Sequence, residues 1–164
     1  MWSTSPPLID CRRHGLNNAP DNTDFLRRYA RRVLRDVREG DAVRALPILR
    51  RMIAQQVTPE LRLSELYAIR ASIRLKHFLH MLAHELGFSA WERCKSEVND
   101  RPANSLDRYR MDSGMYADYQ QNWFANRATA DRWQSEHGGY LIQYGQQVVA
   151  HTELTIDSRM PAAI

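Results

Sequence analysis

Cysteine is nearly absent: Cys11 and Cys94 are the only two in 164 residues. Two thiols make no disulfide framework, so a packed core has to hold the fold, and a reducing compartment is expected. Seven glycines and seven prolines are too few for a collagen-like or linker-dominated chain. No apolar run approaches the ~20 residues that cross a bilayer, so no membrane partner is expected. The opening Met1-Trp2-Ser3-Thr4-Ser5-Pro6-Pro7 lacks the apolar stretch of a secretory signal, and a cytoplasmic location is expected. A phosphate-binding glycine loop, a dinucleotide glycine pattern, a Gly-x-Ser-x-Gly elbow and an EF-hand loop are all missing. The expectation is therefore a non-catalytic protein without a cofactor.

Lysine is scarce too. Lys76 and Lys95 are the only two among 23 basic residues, so arginine carries the net charge of +4. That charge is concentrated. Residues 12–51 hold eleven arginines and five acids, a local excess that points to an anionic partner, either nucleic acid or an acidic protein.

Periodicity places that excess on a helix. Between 24 and 39, Phe25, Leu26, Tyr29, Ala30, Val33, Leu34 and Val37 share one half of a helical wheel. Arg27, Arg28, Arg31, Arg32, Arg35 and Arg38 fall in an arc of about 140° opposite them. Asn22, Thr23 or Asp24 is the expected cap and Gly40 the stop. Asp41 is the expected cap of a second helix over 42–56, with Pro47 in or near its first turn or kinking it. Thr58-Pro59-Glu60 reads as a third helix start, with a pattern running to Leu86 as one long helix or two abutting ones. Ser89 and Glu92 read as a capping box for a short helix carrying Trp91, Cys94 and Val98. Cys94 is expected in the core.

Further on, helix is expected around 114–124 and from Thr129 to His137. Tyr140–Tyr144 and Gln147–Glu153 alternate as a β-hairpin. The predicted fold is mainly α. Four to six helices form a bundle over 24–102, behind an irregular lead-in over 1–23. The segment 103–164 adds a helix and the hairpin, packed on the bundle within one domain. Trp123, Phe124, Tyr140 and Tyr144 are read as packing residues of the hairpin region, with base stacking as the alternative.

His77, His80 and His84 are spaced to share one helix face within about 60°. Packing against carbonyls or acids is the ordinary reading of such a row. The alternatives are a zinc site, completed by Glu85 or by Cys11 and His14, and a general base.

Leu82-Ala83-His84-Glu85-Leu86-Gly87-Phe88-Ser89 resembles the helix–turn–helix turn of arabinose-operon-type activators. That resemblance implies that Ser89, Ala90, Glu92 and Arg93 approach a DNA groove. Arg93 departs from it, standing where a buried aliphatic residue anchors the second helix. Leu75-Lys76-His77-x-Leu79-His80-x-x-Ala83-x-Glu85-x-Gly87-Phe88-x-x-Trp91 is similar to a helical motif of uncharacterised bacterial proteins, found also beside glyoxalase-like and ankyrin-type domains. It implies a bacterial, cytoplasmic, helical protein and carries no activity.

Three functions follow as expectations. The first is a nucleic-acid-associated or regulatory protein that holds phosphates through the six arginines of the first helix, with Arg93 added if the turn reads DNA. The second is an adaptor or inhibitor, of the kind a mobile element encodes, that uses the same arginines on an acidic partner. The third is a metal-dependent enzyme built on the histidine row.

Overall fold

A computed structural model describes residues 21–152. These fall into two compact units that divide between Pro102 and Ala103. Most of the expected lead-in, together with Cys11, His14 and the residues after 152, lies outside the described residues. The architecture is mainly α with a small β component. Among the described residues there are seven α-helices and one three-stranded antiparallel sheet.

The first unit is helical: α1 (Asn22–Glu39), α2 (Ala42–Ala54), α3 (Leu63–Ala68), α4 (Leu75–Glu85) and α5 (Trp91–Glu97). Asp21 caps α1, its carboxylate accepting from the Asp24 backbone N–H at 2.6 Å, which satisfies one of the orphan donors of the first turn. Leu26, Tyr29, Ala30, Val33 and Val37 are buried where α1 packs on α2 and α4. Asn22 Nδ2 and Thr23 Oγ1 donate to the Val98 and Lys95 carbonyls. The start of α1 is thereby pinned to residues more than 70 positions away. Gly40 ends the helix, its N–H bonded to the Asp36 carbonyl at 3.0 Å.

Close approach dictates glycine at 40. A Cβ there would lie 2.2 Å from the Asp36 carbonyl oxygen, and that atom is backbone and cannot swing away. Gly40→Ala should lower the unfolding free energy by about 2 kcal/mol, the scale of one locally strained residue. Urea denaturation of the two proteins checks it, and a difference under about 0.5 kcal/mol, the range of an inert surface change, would contradict the close contact.

Asp41 caps α2 as expected, accepting from the Arg44 N–H at 3.0 Å. Pro47 lies inside α2 and forfeits the bond to the Val43 carbonyl.

The stretch from Thr58 to Leu86, expected as one long helix or two abutting ones, is broken into shorter segments that begin only at Leu63. Gln56 takes a positive φ of 54°, and Thr58 Oγ1 is buried without a hydrogen-bond partner, so it caps nothing. The chain re-enters helix at Leu63, where the Glu65 carboxylate accepts from the Arg62 N–H at 2.7 Å. It leaves again when Ser72 Oγ donates to the Ile69 carbonyl at 2.7 Å, a local bond that competes with helix. It resumes at Leu75. Polar side chains at 65, 72 and 77 cut an apolar pattern that continues through all three segments.

The second unit contains α6 (Asp107–Asp112), β1 (Gln120–Phe124), α7 (Arg127–His137), β2 (Tyr140–Tyr144) and β3 (Gln147–Thr152), with strand order β1-β3-β2. The hairpin of β2 and β3 is as expected, and Gly145 supplies its positive φ of 63°. Residues 120–124, expected to be helical, are strand. Gly114 (φ 80°) follows α6, and Gln120–Phe124 pairs with β3 in the register Asn122↔Ala150, Trp123↔Val149. An isolated hairpin is marginal in water, and β1 provides the missing third strand. Register puts Gln121, Trp123, Tyr140, Ile142, Tyr144, Val149 and His151 on one sheet face, the face met by α6 through Tyr140–Asp107 and Tyr144–Asp112 hydrogen bonds. The opposite face meets α7 through Phe124 and Trp133, whose ring centroids are 5.5 Å apart.

Candidate functional site

The six arginines of α1 do not behave alike. Arg27 is in an i,i+3 ion pair with Asp24 at 3.3 Å. Arg32 lies over the Tyr29 ring, its guanidinium carbon 5.3 Å from the centroid. Arg38 donates through Nε and Nη2 to the Ile73 carbonyl at 3.2 and 2.7 Å, so it joins two segments of the fold. Arg28, Arg31 and Arg35 are exposed, and no ion pair or hydrogen bond holds any of them among the described residues. Spacings of three and four put these three within about 60° of helix and over about 10 Å of axis. Glu39, one turn beyond Arg35, is exposed and makes no ion pair among the described residues. The arc of six thus contracts to a strip of three uncommitted cations. Arg93, the seventh expected contact, pairs with Glu97 at 2.8 Å on the surface of α5.

The turn between α4 and α5 is a Schellman cap. Phe88 N–H bonds to the Ala83 carbonyl and Gly87 N–H to His84, with Gly87 at φ 82°, the left-handed geometry that glycine accommodates. The expected Ser89 cap is absent. Ala90 holds the cap position of α5 without a side-chain bond, while Glu92 pairs with Lys95 at 3.2 Å. At seven residues α5 has only about two turns, and it buries Trp91 and Cys94. Cys94 is in the core as expected, and burial pushes its thiol up to about 11, away from nucleophilic thiolate chemistry.

The histidine row separates into three roles. His77 Nδ1 accepts from the Arg74 N–H at 3.0 Å and so finishes the start of α4; burial lowers its pKa. His80 is exposed, edge-on to His84 with ring centroids 6.1 Å apart. The His84 ring nitrogens face the Gln55 and Ser89 carbonyl oxygens at 3.0 and 3.2 Å, which orients the ring as a donor. Glu85, the neighbouring candidate ligand, is held by Arg51. Among the described residues no group of three His, Cys, Asp or Glu side chains is placed to hold a metal ion. At unbroken helical spacing Leu66, Ile69 and Ile73 would continue the row upstream and put it on a packing face. The breaks before Leu75 remove that continuity.

Two polar clusters were not foreseen. In the helical unit, Arg51 makes a two-pronged bond to Glu85 (2.8 Å on each prong) and donates Nη1 to Tyr29 Oη at 2.9 Å, tying α1, α2 and α4 together. Burial opposes its charge, but the bonds to Glu85 and Tyr29 outweigh that and raise its pKa. In the sheet unit, buried Asp107 accepts from Tyr116 Oη at 3.0 Å, from Arg110 Nη1 at 3.1 Å and from Tyr140 Oη. Burial, and then the adjacent carboxylate, push both tyrosine hydroxyls above their usual range. Beside them His151 is 1% exposed and neither ring nitrogen has a hydrogen-bond partner. A shallow groove of about 200 Å³ lies between α4 and α5, lined by Lys76, Leu79, His80, Ala90, Trp91 and Glu92.

No family model, curated protein or solved structure matches the chain. The functional reading therefore rests on these residues alone. Among the described residues no helix is long and apolar enough to cross a membrane.

Proposed function

We propose that the protein is a non-catalytic polyanion-binding protein that captures nucleic acid through Arg28, Arg31 and Arg35 of α1. The observation that carries this reading is that they lie exposed on one strip and have no acid partner among the described residues. A cation already paired gains little from a phosphate, whereas an unpaired one releases the counterions condensed on the polyanion. Arg27, Arg32 and Arg38, turned to Asp24, Tyr29 and Ile73, flank the strip and are secondary. Such contacts position a nucleic acid without reading its sequence.

The test is binding of labelled duplex and of inorganic polyphosphate, followed by fluorescence anisotropy from low to moderate salt. Replacing Arg28, Arg31 and Arg35 together by Glu should weaken both by more than about tenfold and flatten the duplex salt slope by between about two and three. An unchanged slope would overturn the assignment. Arg93→Glu, which removes a cation already paired with Glu97, should change affinity by less than about threefold.

A further inference from the structure

The arginine strip says nothing about strandedness, and a separate feature of the sheet unit bears on it. Trp123 on β1 is 48% exposed, one of few large apolar side chains in that state. It is also held in place. Its ring meets the Tyr144 ring edge-on at 5.6 Å between centroids. Tyr144 is fixed in turn, its hydroxyl bonded to Asp112 at 2.5 Å and the Arg108 guanidinium carbon lying 5.3 Å from its ring centroid. Arg108 makes no ion pair among the described residues, and its Nε is buried without a hydrogen-bond partner. One tyrosine thus brackets an open indole and a cation that has no acid partner among the described residues, each within 6 Å of it. The exposed amides of Gln121 and Gln147 share the same sheet face.

We propose that Trp123, Tyr144 and Arg108 form a stacking platform for an unpaired nucleobase, with Arg108 on its phosphate. A nucleotide combines a flat π-face with an anion one sugar away, which matches an indole beside an unpaired guanidinium. Amide side chains offer both donors and acceptors to a base edge. Inside a duplex both faces of each base are covered by its neighbours, so the ligand is a single-stranded segment. An apolar peptide would use the indole but leave Arg108 unanswered. The platform lies in a different unit from the α1 strip, so it stands or falls separately from it and adds the class of nucleic acid.

The test compares a short oligothymidylate of about ten nucleotides, within the site size of such surfaces, with inorganic polyphosphate, which has charge but no bases. Near-UV circular dichroism confirms the fold of each variant. Trp123→Ala should weaken oligothymidylate binding by about tenfold or more, the scale of one lost stack, and leave polyphosphate binding unchanged. Trp123→Phe keeps a stacking ring and should stay within about threefold of the wild type. Arg108→Gln should weaken the oligonucleotide alone. Oligothymidylate binding unaffected by Trp123→Ala overturns the platform, while loss of polyphosphate binding in the triple Glu variant would still uphold the arginine strip. Conversely, if the triple variant leaves polyphosphate binding intact and Trp123→Ala abolishes oligothymidylate binding, the strip is refuted and the platform stands. A wild-type protein that ignores oligothymidylate refutes the platform outright.

Discussion

Glu85→Ala should cost the helical unit about 3–5 kcal/mol, the usual loss when one partner of a buried ion pair is removed. The Glu85 and Arg51 side chains are 4% and 17% exposed, so water cannot replace the missing carboxylate. Arg51 would keep its charge, because a guanidinium does not give up its proton at accessible pH. It would retain Tyr29 Oη, at 2.9 Å, as a neutral partner. Glu85→Gln keeps the shape but only one acceptor oxygen, and it should lose about half as much. The decisive comparison is Arg51→Met with Glu85→Leu, which removes both charges and fills the space with apolar atoms. That double variant should be markedly more stable than Glu85→Ala, because the penalty belongs to the stranded charge more than to the missing bond. Guanidinium chloride denaturation of the three variants measures it. A Glu85→Ala loss below about 1 kcal/mol, the value of an exposed pair, would mean that the cluster is solvated.

The sequence made this cluster hard to see. Arg51 was legible as one more basic residue of α2, and Glu85 as a neighbour of histidines. Their sequence separation of 34 is bridged only by the packing of α2 on α4, which periodicity cannot specify. Where a signal is local it was readable. The apolar stripe of α1, the Asp41 cap and the Tyr140–Thr152 hairpin all depend on residues within a few positions of one another. The stretch from Thr58, read as one long helix or two abutting ones, is interrupted because Ser72 offers the backbone a competing bond while Glu65 and His77 cap fresh starts at Leu63 and Leu75, and none of these disturbs the hydrophobic pattern. β1 was missed because Gln120, Gln121 and Asn122 have no strand preference of their own. It is strand because β3 needs a second partner, a non-local requirement.

The candidate site was half legible for the same reason. A wheel of α1 assigns all six arginines to one arc, since that depends only on spacing. Which of them remain available depends on Asp24, Tyr29 and the Ile73 carbonyl; the first two share a turn with their arginines, and the third lies 35 residues away. The histidine row was legible as a row, but its division among Arg74, Gln55 and Ser89 was not. Trp123 was visible as an aromatic near a hairpin. Its exposure followed only once β1 became an edge strand of the sheet.

Acid should unfold the sheet unit through His151. Burial lowers its pKa from 6.5 to about 4, against smaller opposing effects of the Asp107 carboxylate and the Tyr140 backbone. Asp107 already accepts from Tyr116, Arg110 and Tyr140, and the Tyr116 ring lies 5.0 Å from the imidazole. A proton on His151 therefore arrives in a buried space where the carboxylate that acts on it, Asp107, is already engaged. The sign follows from linkage. Below pH 6.5 the unfolded chain takes up the proton and the folded one does not, so stability is complete above 6.5 and drains away as pH falls towards 4. The full loss is about 3 kcal/mol, at 1.36 kcal/mol per unit of displacement. Carboxylates also titrate towards the lower end of that window, so the informative quantity is the difference from a variant without the imidazole. His151→Leu substitutes an apolar group where no ring nitrogen is bonded, and it should fold at pH 7.5 with stability within about 1 kcal/mol of the wild type. At pH 4 it should exceed the wild type by about 3 kcal/mol, with the divergence confined to the interval between 6.5 and 4. Urea denaturation followed by tyrosine near-UV circular dichroism at several pH values resolves the two curves. If they run parallel from 7.5 to 4, His151 is hydrated or paired in solution, and the buried neutral imidazole is wrong.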